Sequence, residues 1–168
     1  TYAVPETRKA PATRASRDWQ GLLSELESHY AQGEFALGSQ IATLLKEAHP
    51  DIDAIPIHIR ILCARHYAAS GRNEDALALL PKETATESAD VTGLSWEVRA
   101  RAQLSLGELS SAENSLQAAQ EIYSRGASPS GLSRVYNMKG LLESRLGRQE
   151  AALISFVQSI ETAQAAED

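Results

Sequence analysis

Four glycines divide the chain at nearly regular intervals, and they constrain its fold more than any other feature. They follow one another at spacings of 38, 36 and 40 residues, at Gly33, Gly71, Gly107 and Gly147. Between them, apolar residues recur every three or four positions, which is the period of an amphipathic helix, and strand-like alternation is absent. Longer breaks alternate with the glycine breaks, at residues 50–56, 81–93 and 125–131. The sequence therefore predicts an all-α fold of about four antiparallel helix pairs.

The predicted helical domain spans residues 18–168, in units of about 18–50, 55–88, 93–125 and 129–165. Ser128 followed by Pro129 predicts a helix start, because serine caps helix N-termini and proline suits the first helical position. Pro81 is expected to end the second helix of the second unit early. Residues 1–17 show no helical period and are locally basic. We predict that they form an extended or disordered tail or linker, with binding of an acidic partner as the alternative.

Composition and charge argue against several classes of protein. The chain has 168 residues and a formal net charge of −6, which gives no electrostatic case for binding nucleic acid or an anionic membrane. Its single cysteine, Cys63, cannot form an internal disulfide or a cysteine metal cluster. No run is apolar enough to cross a bilayer, and residues 1–17 lack the apolar stretch of a signal peptide. We therefore expect a cytoplasmic location.

Motifs that carry chemistry are missing from the sequence. Phosphate-binding glycine loops and the H-E-x-x-H zinc motif do not occur. Cys63 and His66 lie three residues apart, with His58 before them, but a small buried thiol at a helix packing position explains Cys63 without chemistry. Asp51 and Asp53 are interpreted as helix-entry residues rather than a catalytic pair. The sequence therefore predicts no catalytic site, no metal site and no cofactor.

The four units share further positions when they are aligned on their glycines. A small residue follows each glycine by five positions, at Gly38, Ala76, Ala112 and Ala152. Four positions later lie Ala42, Leu80, Leu116 and Phe156, and seven positions before the glycines lie Leu26, Ala64, Ala100 and Gly140. Eleven positions before them lie Leu22, Arg60, Trp96 and Tyr136. This pattern resembles the tetratricopeptide repeat (TPR) consensus, in which small residues let two helices cross closely and large ones fill the space between units.

The resemblance covers about residues 18–165 and implies a right-handed α–α superhelix, a TPR-like solenoid. Units three and four match best, whereas unit two has Arg60 at the aromatic position. The spacings exceed the usual period of about 34 residues. Longer-repeat relatives of TPR therefore fit as well as the regular kind, and a HEAT-like array of helix pairs is the alternative fold.

The same resemblance implies that the first helix of each pair lines a concave groove. The residues expected there to contact a partner are His58, Ile61, Leu62, Arg65, Glu97, Arg101, Arg134, Asn137, Met138 and Arg145. Arginines suit pairing with carboxylates, and apolar neighbours supply burial. We expect the groove to bind a peptide or helix with acidic and apolar residues. In the alternative interpretation, these arginines only pair with neighbouring glutamates such as Glu97 and Glu143.

The last predicted helix, residues 148–165, has an apolar arc wider than one buried face requires. We expect that either the repeats continue there or this edge meets another chain, including a second copy. The leading functional prediction is a scaffold or adaptor module that is not an enzyme. The alternative is a regulatory or sensory repeat domain of a larger transcription regulator or signalling protein.

Overall fold

The computed structural model describes residues 12–82 and 87–167, with side chains from residue 18 onward. These ranges hold eight α-helices and one 3-10 turn, and no strand occurs in them, so the predicted all-α fold is confirmed. The helices are α1 (Ala12–Ala31), α2 (Phe35–Ala48), α3 (Ile57–Ala69), α4 (Asn73–Leu79), α5 (Ala89–Leu106), α6 (Leu109–Arg125), α7 (Pro129–Arg145) and α8 (Gln149–Glu167). The 3-10 turn, Ile52–Ala54, lies between α2 and α3.

Each of the four repeating glycines forms a tight turn inside a helix pair. Their φ angles are 76°, 80°, 79° and 76° in chain order, a left-handed conformation that costs glycine little. The next residue in each turn donates its N–H to a carbonyl five positions earlier, as Glu34 does to His29 and Arg148 does to Glu143. This bond closes a Schellman motif and satisfies a carbonyl at the end of the first helix. The predicted glycine turns are therefore confirmed.

The breaks between pairs end helices by different means. Pro81 ends α4 after seven residues, as predicted, and Leu80 before it is extended with ψ 137°. Asp51 accepts a hydrogen bond from the N–H of Asp53 and so caps the 3-10 turn, in agreement with its interpretation as a helix-entry residue. Pro129 is the first residue of α7, as predicted, but the Ser128 side chain makes no capping hydrogen bond.

The first helix begins earlier than expected. α1 starts at Ala12, whereas the sequence prediction placed residues 12–17 in the tail. This stretch, Ala-Thr-Arg-Ala-Ser-Arg, has no apolar stripe, but alanine and arginine favour helices on propensity alone. The predicted tail is therefore corrected for residues 12–17, and residues 1–11 lie outside the described part of the chain.

Small residues lie where helices approach each other closely, both between successive pairs, as at Gly38 of α2, and within a pair, as at Gly140 of α7. The predicted positions five residues after the glycines and seven before them are all buried. A Cβ added at Gly38 would lie 2.1 Å from Nδ1 of His66, and one added at Gly140 would lie 2.6 Å from Cε1 of Phe156. Because such separations are far below van der Waals contact, side chains at these positions are limited by the neighbouring ring.

The pairs follow one another along the molecule. The first helices of successive pairs are in contact, α1 with α3, α3 with α5 and α5 with α7. The second helix of each pair also contacts the first helix of the next, as α2 does with α3 and α6 with α7. Two buried clusters result. One is formed by α1 to α4 with Val98 and Ala102 of α5, and the other by α6 and α7 with Ala100 and Leu104 of α5.

Arg60, which departs from the aromatic pattern, has a structural function. Its residue is 6% exposed, and its Nε donates to the carbonyl oxygen of Leu79 at 3.1 Å. Its Nη1 lies 2.8 Å from a carboxylate oxygen of Asp53. The guanidinium therefore hydrogen-bonds to the C-terminal end of the shortened α4, where the last carbonyls lack helical partners. Its positive charge also interacts favourably with the partial negative charge at that end of the helix.

Candidate functional site

The main candidate site is a groove bounded by the first helices of all four pairs. It has a volume of about 560 Å³. Its walls are Glu27 of α1, His58 and Arg65 of α3, Ser88, Asp90, Val91 and Leu94 at the start of α5, Tyr123 of α6, and Ser128, Ser130 and Arg134 at the start of α7. We call this the arginine groove. Two sets of side-chain contacts hold its arginines in position, one around Tyr123 and one around Arg65.

Tyr123 links three helices at the α5–α7 end of the arginine groove. Its ring inserts between two glycines, since a Cβ would lie 2.4 Å from the ring at Gly93 and 2.6 Å from it at Gly131. Its hydroxyl donates to Oε2 of Glu97 at 2.9 Å. Burial, and secondarily the charge of Glu97, raises the pKa of Tyr123. The phenol therefore stays protonated and acts as a hydrogen-bond donor.

Arg134 completes this cluster from α7. Its Nε donates to the other carboxylate oxygen of Glu97 at 2.9 Å. Burial alone would lower the pKa of Arg134, but the hydrogen bond and charge of Glu97 outweigh it, and the pKa is raised. The Glu97 side chain is 5% exposed, whereas that of Arg134 is 41% exposed. Arg134 therefore has a buried partner on one side and remains accessible from the groove on the other.

Arg65 is held differently. Its guanidinium lies over the ring of Tyr30 with Cζ 3.5 Å from the ring centroid, a cation–π contact between α3 and α1. Within residues 18–82 and 87–167 it forms no ion pair with a carboxylate. The ring fixes the plane of the guanidinium without neutralising it. Arg65 is thus a positioned cation whose charge is free to meet a ligand.

The structure brings three of the predicted partner-binding residues into the arginine groove, namely His58, Arg65 and Arg134. Glu97 lies beneath the groove as the partner of Arg134, so the predicted alternative of arginine–glutamate pairing holds for this pair. The other predicted groove arginines, Arg101 and Arg145, do not line it. The Arg145 guanidinium instead donates to the carbonyl oxygen of Leu104.

Three apolar residues predicted for the groove are corrected. Ile61, Leu62 and Met138 are each at most 4% exposed and lie in the hydrophobic clusters. The reason is that α3 and α7 are flanked by helices on several sides, so more than one face of each is buried. Asn137 is exposed on α7 but is not among the groove walls.

Several groove residues were not in the predicted set. Ser88 and Ser128 immediately precede α5 and α7, Ser130 lies in the first turn of α7, and Tyr123 comes from the second helix of its pair. The alignment pointed only to first helices, because those line a concave face in the family that the sequence resembles. The turn-forming serine and proline pattern at residues 128–130 was a usable signal for the start of α7.

Other candidates for chemistry are structural. Cys63 is 2% exposed, and burial raises the pKa of its thiol to about 12, so the thiol is not a nucleophile at neutral pH. In the described part of the chain, His, Cys, Asp and Glu side chains form no group of three or more that could hold a metal ion. None of the helices described is both long and apolar enough to cross a membrane.

The chain was compared with protein-family models, curated proteins and solved structures, and none of them matches it.

Proposed function

We propose that this protein is an interaction module, a TPR-like array of helix pairs whose arginine groove binds a peptide or helix of another protein. The observation that carries the proposal is Arg65, a cation held against Tyr30 without a carboxylate partner among the described side chains. A carboxylate can form two parallel hydrogen bonds with such a guanidinium. The expected ligand therefore has an acidic residue that reaches Arg65.

The composition of the walls narrows the expected ligand further. Val91 and Leu94 are half-buried and supply apolar surface at the start of α5. Glu27 and Asp90 place negative charge on the same groove. A ligand with a run of acidic residues would be repelled by these carboxylates, whereas one acidic residue flanked by apolar and polar ones would not. We therefore expect a segment with one or two carboxylates, and not a polyacidic tail.

The groove also has the features of a preorganised site. A volume of about 560 Å³ accommodates several side chains of a peptide. Arg134 is fixed by Glu97 and Arg65 by Tyr30, so neither guanidinium has to give up much rotamer freedom when a ligand binds. Binding energy would come from burial against Val91 and Leu94 and from the carboxylate pair with Arg65.

The test is selection of peptides from a random display library on the full chain, followed by fluorescence anisotropy with the selected peptides. Arg65→Gln should weaken their binding by about tenfold or more, because one partner of a charge-assisted pair is lost. Arg125→Gln is the control: it removes the same charge from an 81% exposed side chain that pairs with Glu121, outside the groove. Selected peptides that bind Arg65→Gln as tightly as the unaltered chain would rule out the proposal.

A further inference from the structure

The outer face of α8 carries an apolar stripe exposed to solvent. Leu153, Val157 and Ile160 follow one another at spacings of four and three residues, so they lie on one side of the helix. They are 63%, 44% and 59% exposed, and Ile154 beside them is 58% exposed. Single exposed apolar residues are ordinary, but four on one helical face form a continuous patch. We call this set the α8 stripe.

The equivalent positions in the other repeats, counted from each repeating glycine, show which surfaces they contact. The three residues of the main row lie six, ten and thirteen positions after Gly147. The corresponding residues after Gly33, on α2, are Ser39, Thr43 and Lys46. Ser39 donates to the carbonyl oxygen of His66 at 3.1 Å, and the Thr43 hydroxyl lies 3.1 Å from that of Tyr67. These positions of α2 therefore contact the next helix, α3.

The third pair repeats this arrangement. The corresponding residues after Gly107, on α6, are Glu113, Gln117 and Gln120. They line a cavity of about 330 Å³ whose opposite wall is Lys139, Leu142 and Glu143 of α7. In both pairs, the positions equivalent to the α8 stripe face a following helix. On α8 the same positions are apolar and exposed. They form a surface on which one more helix could pack.

Charge specifies the helix that fits. Glu150 and Glu161 lie on the same side of α8 as the stripe, one near each end of it, and residues 149–167 contain no lysine or arginine. An acidic helix with an apolar row pairs best with a helix whose own apolar row is flanked by cations. We propose that the α8 stripe docks a basic amphipathic helix from another protein, in the manner in which α3 lies on α2.

A second copy of this chain is a poorer occupant. Two α8 helices facing each other would place glutamates against glutamates, without a cation on either. A second copy could instead place its α1 on the α8 stripe, in the way that α3 lies on α2. The contact would then be made by the α1 residues that correspond to the α2-contacting residues of α3. Those outward positions on α1 include Gly21, Glu25 and Ser28, which are exposed and supply no apolar row. Self-association is therefore an alternative outcome of the test and not the proposal.

The test uses two synthetic helical peptides of equal length with the same apolar row. Arginine flanks the row in one peptide, and glutamate flanks it in the other. Fluorescence anisotropy with the full chain should show that the arginine peptide binds at least about tenfold more tightly. The double variant Leu153→Gln/Val157→Gln should weaken that binding by about tenfold or more, since both changes remove apolar contact area. Glu161→Gln should weaken it by a smaller factor and reduce its dependence on salt.

The matched control is Leu44→Gln on α2, because Leu44 is 64% exposed and Leu153 is 63% exposed. This control should leave binding unchanged, and the thermal melting of all variants should match that of the unaltered chain. Equal affinity for the two peptides, or binding insensitive to Leu153→Gln/Val157→Gln, would overturn the proposal. Sedimentation that shows self-association of the unaltered chain, abolished by the same double variant, would assign the stripe to a second copy instead.

Discussion

Nε2 of His66 lies 2.8 Å from the carbonyl oxygen of Leu26, so that a buried histidine of α3 is tied to the backbone of α1. A carbonyl oxygen only accepts hydrogen bonds, so Nε2 carries the proton. His66 is 1% exposed, and its Nδ1 is buried without a hydrogen-bond partner among the described residues. Burial accordingly lowers the pKa of His66 from its usual 6.5. The folded protein holds this imidazole in its neutral form.

The first prediction is that His66 makes the protein less stable in mild acid. Since its folded pKa lies below 6.5, the unfolded chain binds the proton more tightly. The contribution of His66 to stability is therefore constant above about pH 7 and falls as the pH drops through 6.5 towards the folded pKa. Urea unfolding at pH 7.5 and pH 5.5 should show this loss, and it should be smaller in His66→Gln.

His29 affects the pH dependence of stability in the opposite direction, so both variants in the comparison have to lack it. Its hydrogen bond with Glu34 raises its pKa, so its stabilising contribution is present at low pH and lost as the pH rises through the folded value. The comparison is therefore His29→Gln against His29→Gln/His66→Gln. Equal pH dependence in these two variants would contradict the assignment of a neutral His66.

The second prediction concerns two glycines within helices. Gly38→Ala should destabilise the protein by about 2 kcal/mol or more, because the new Cβ would collide with the His66 ring, which Leu26 holds in place. Gly21→Ala is the control, because nothing lies within 4 Å of its Cβ position. It should stabilise the protein by about 0.5–1 kcal/mol through helix propensity. Denaturant titration checks both values, and similar effects of the two variants would refute the steric account.

The third prediction is an energetic coupling between Glu97 and Arg134. A double-mutant cycle with Glu97→Gln and Arg134→Met should give a favourable interaction of about 1–2 kcal/mol, because Glu97 is buried even though Arg134 is 41% exposed. The same cycle for Glu121 and Arg125 is the control. That pair is exposed and 3.8 Å apart, and should give about 0.5 kcal/mol or less. Equal couplings in the two cycles would mean that burial of Glu97 has no consequence for the pair.

The fourth prediction is that Cys63 reacts only when the protein opens. With a pKa of about 12, the folded thiol is almost entirely protonated at pH 8. A thiol-specific chromogenic reagent should therefore label the native protein far more slowly than the protein in urea. Rapid, complete labelling under native conditions would show that the α3 packing is looser than the structure has it.

Much of the fold was predictable from the glycines, because a left-handed turn and a close helix crossing each tolerate few other residues. The groove was less predictable. The run from Ile59 to Ala64 is buried at every position, so no polar stripe marks which side of α3 faces outward. Arg65 was placed in the groove by the alignment, but its contact with Tyr30 joins residues 35 positions apart and left no pattern along the chain.

Tyr123 illustrates the same difficulty from the second helix of a pair. Its environment depends on Gly93 and Gly131, two glycines that read in sequence as parts of breaks between units. Only the three-dimensional arrangement shows that both are small because the tyrosine ring occupies the space beside them. A buried aromatic residue with a hydroxyl group needs a polar partner, and that requirement was the available signal for Glu97.

The division of the core between two clusters has a consequence for how the chain can be cut. A fragment ending at Pro81 would lose Val98 and Ala102 and leave the surface of the first cluster bare, while a fragment beginning at Ala89 would turn those same two side chains towards water. Helix α5 thus belongs to both halves at once. Neither half is a complete folding unit without it, and the smallest autonomous fragment on either side of Pro81 has to include α5.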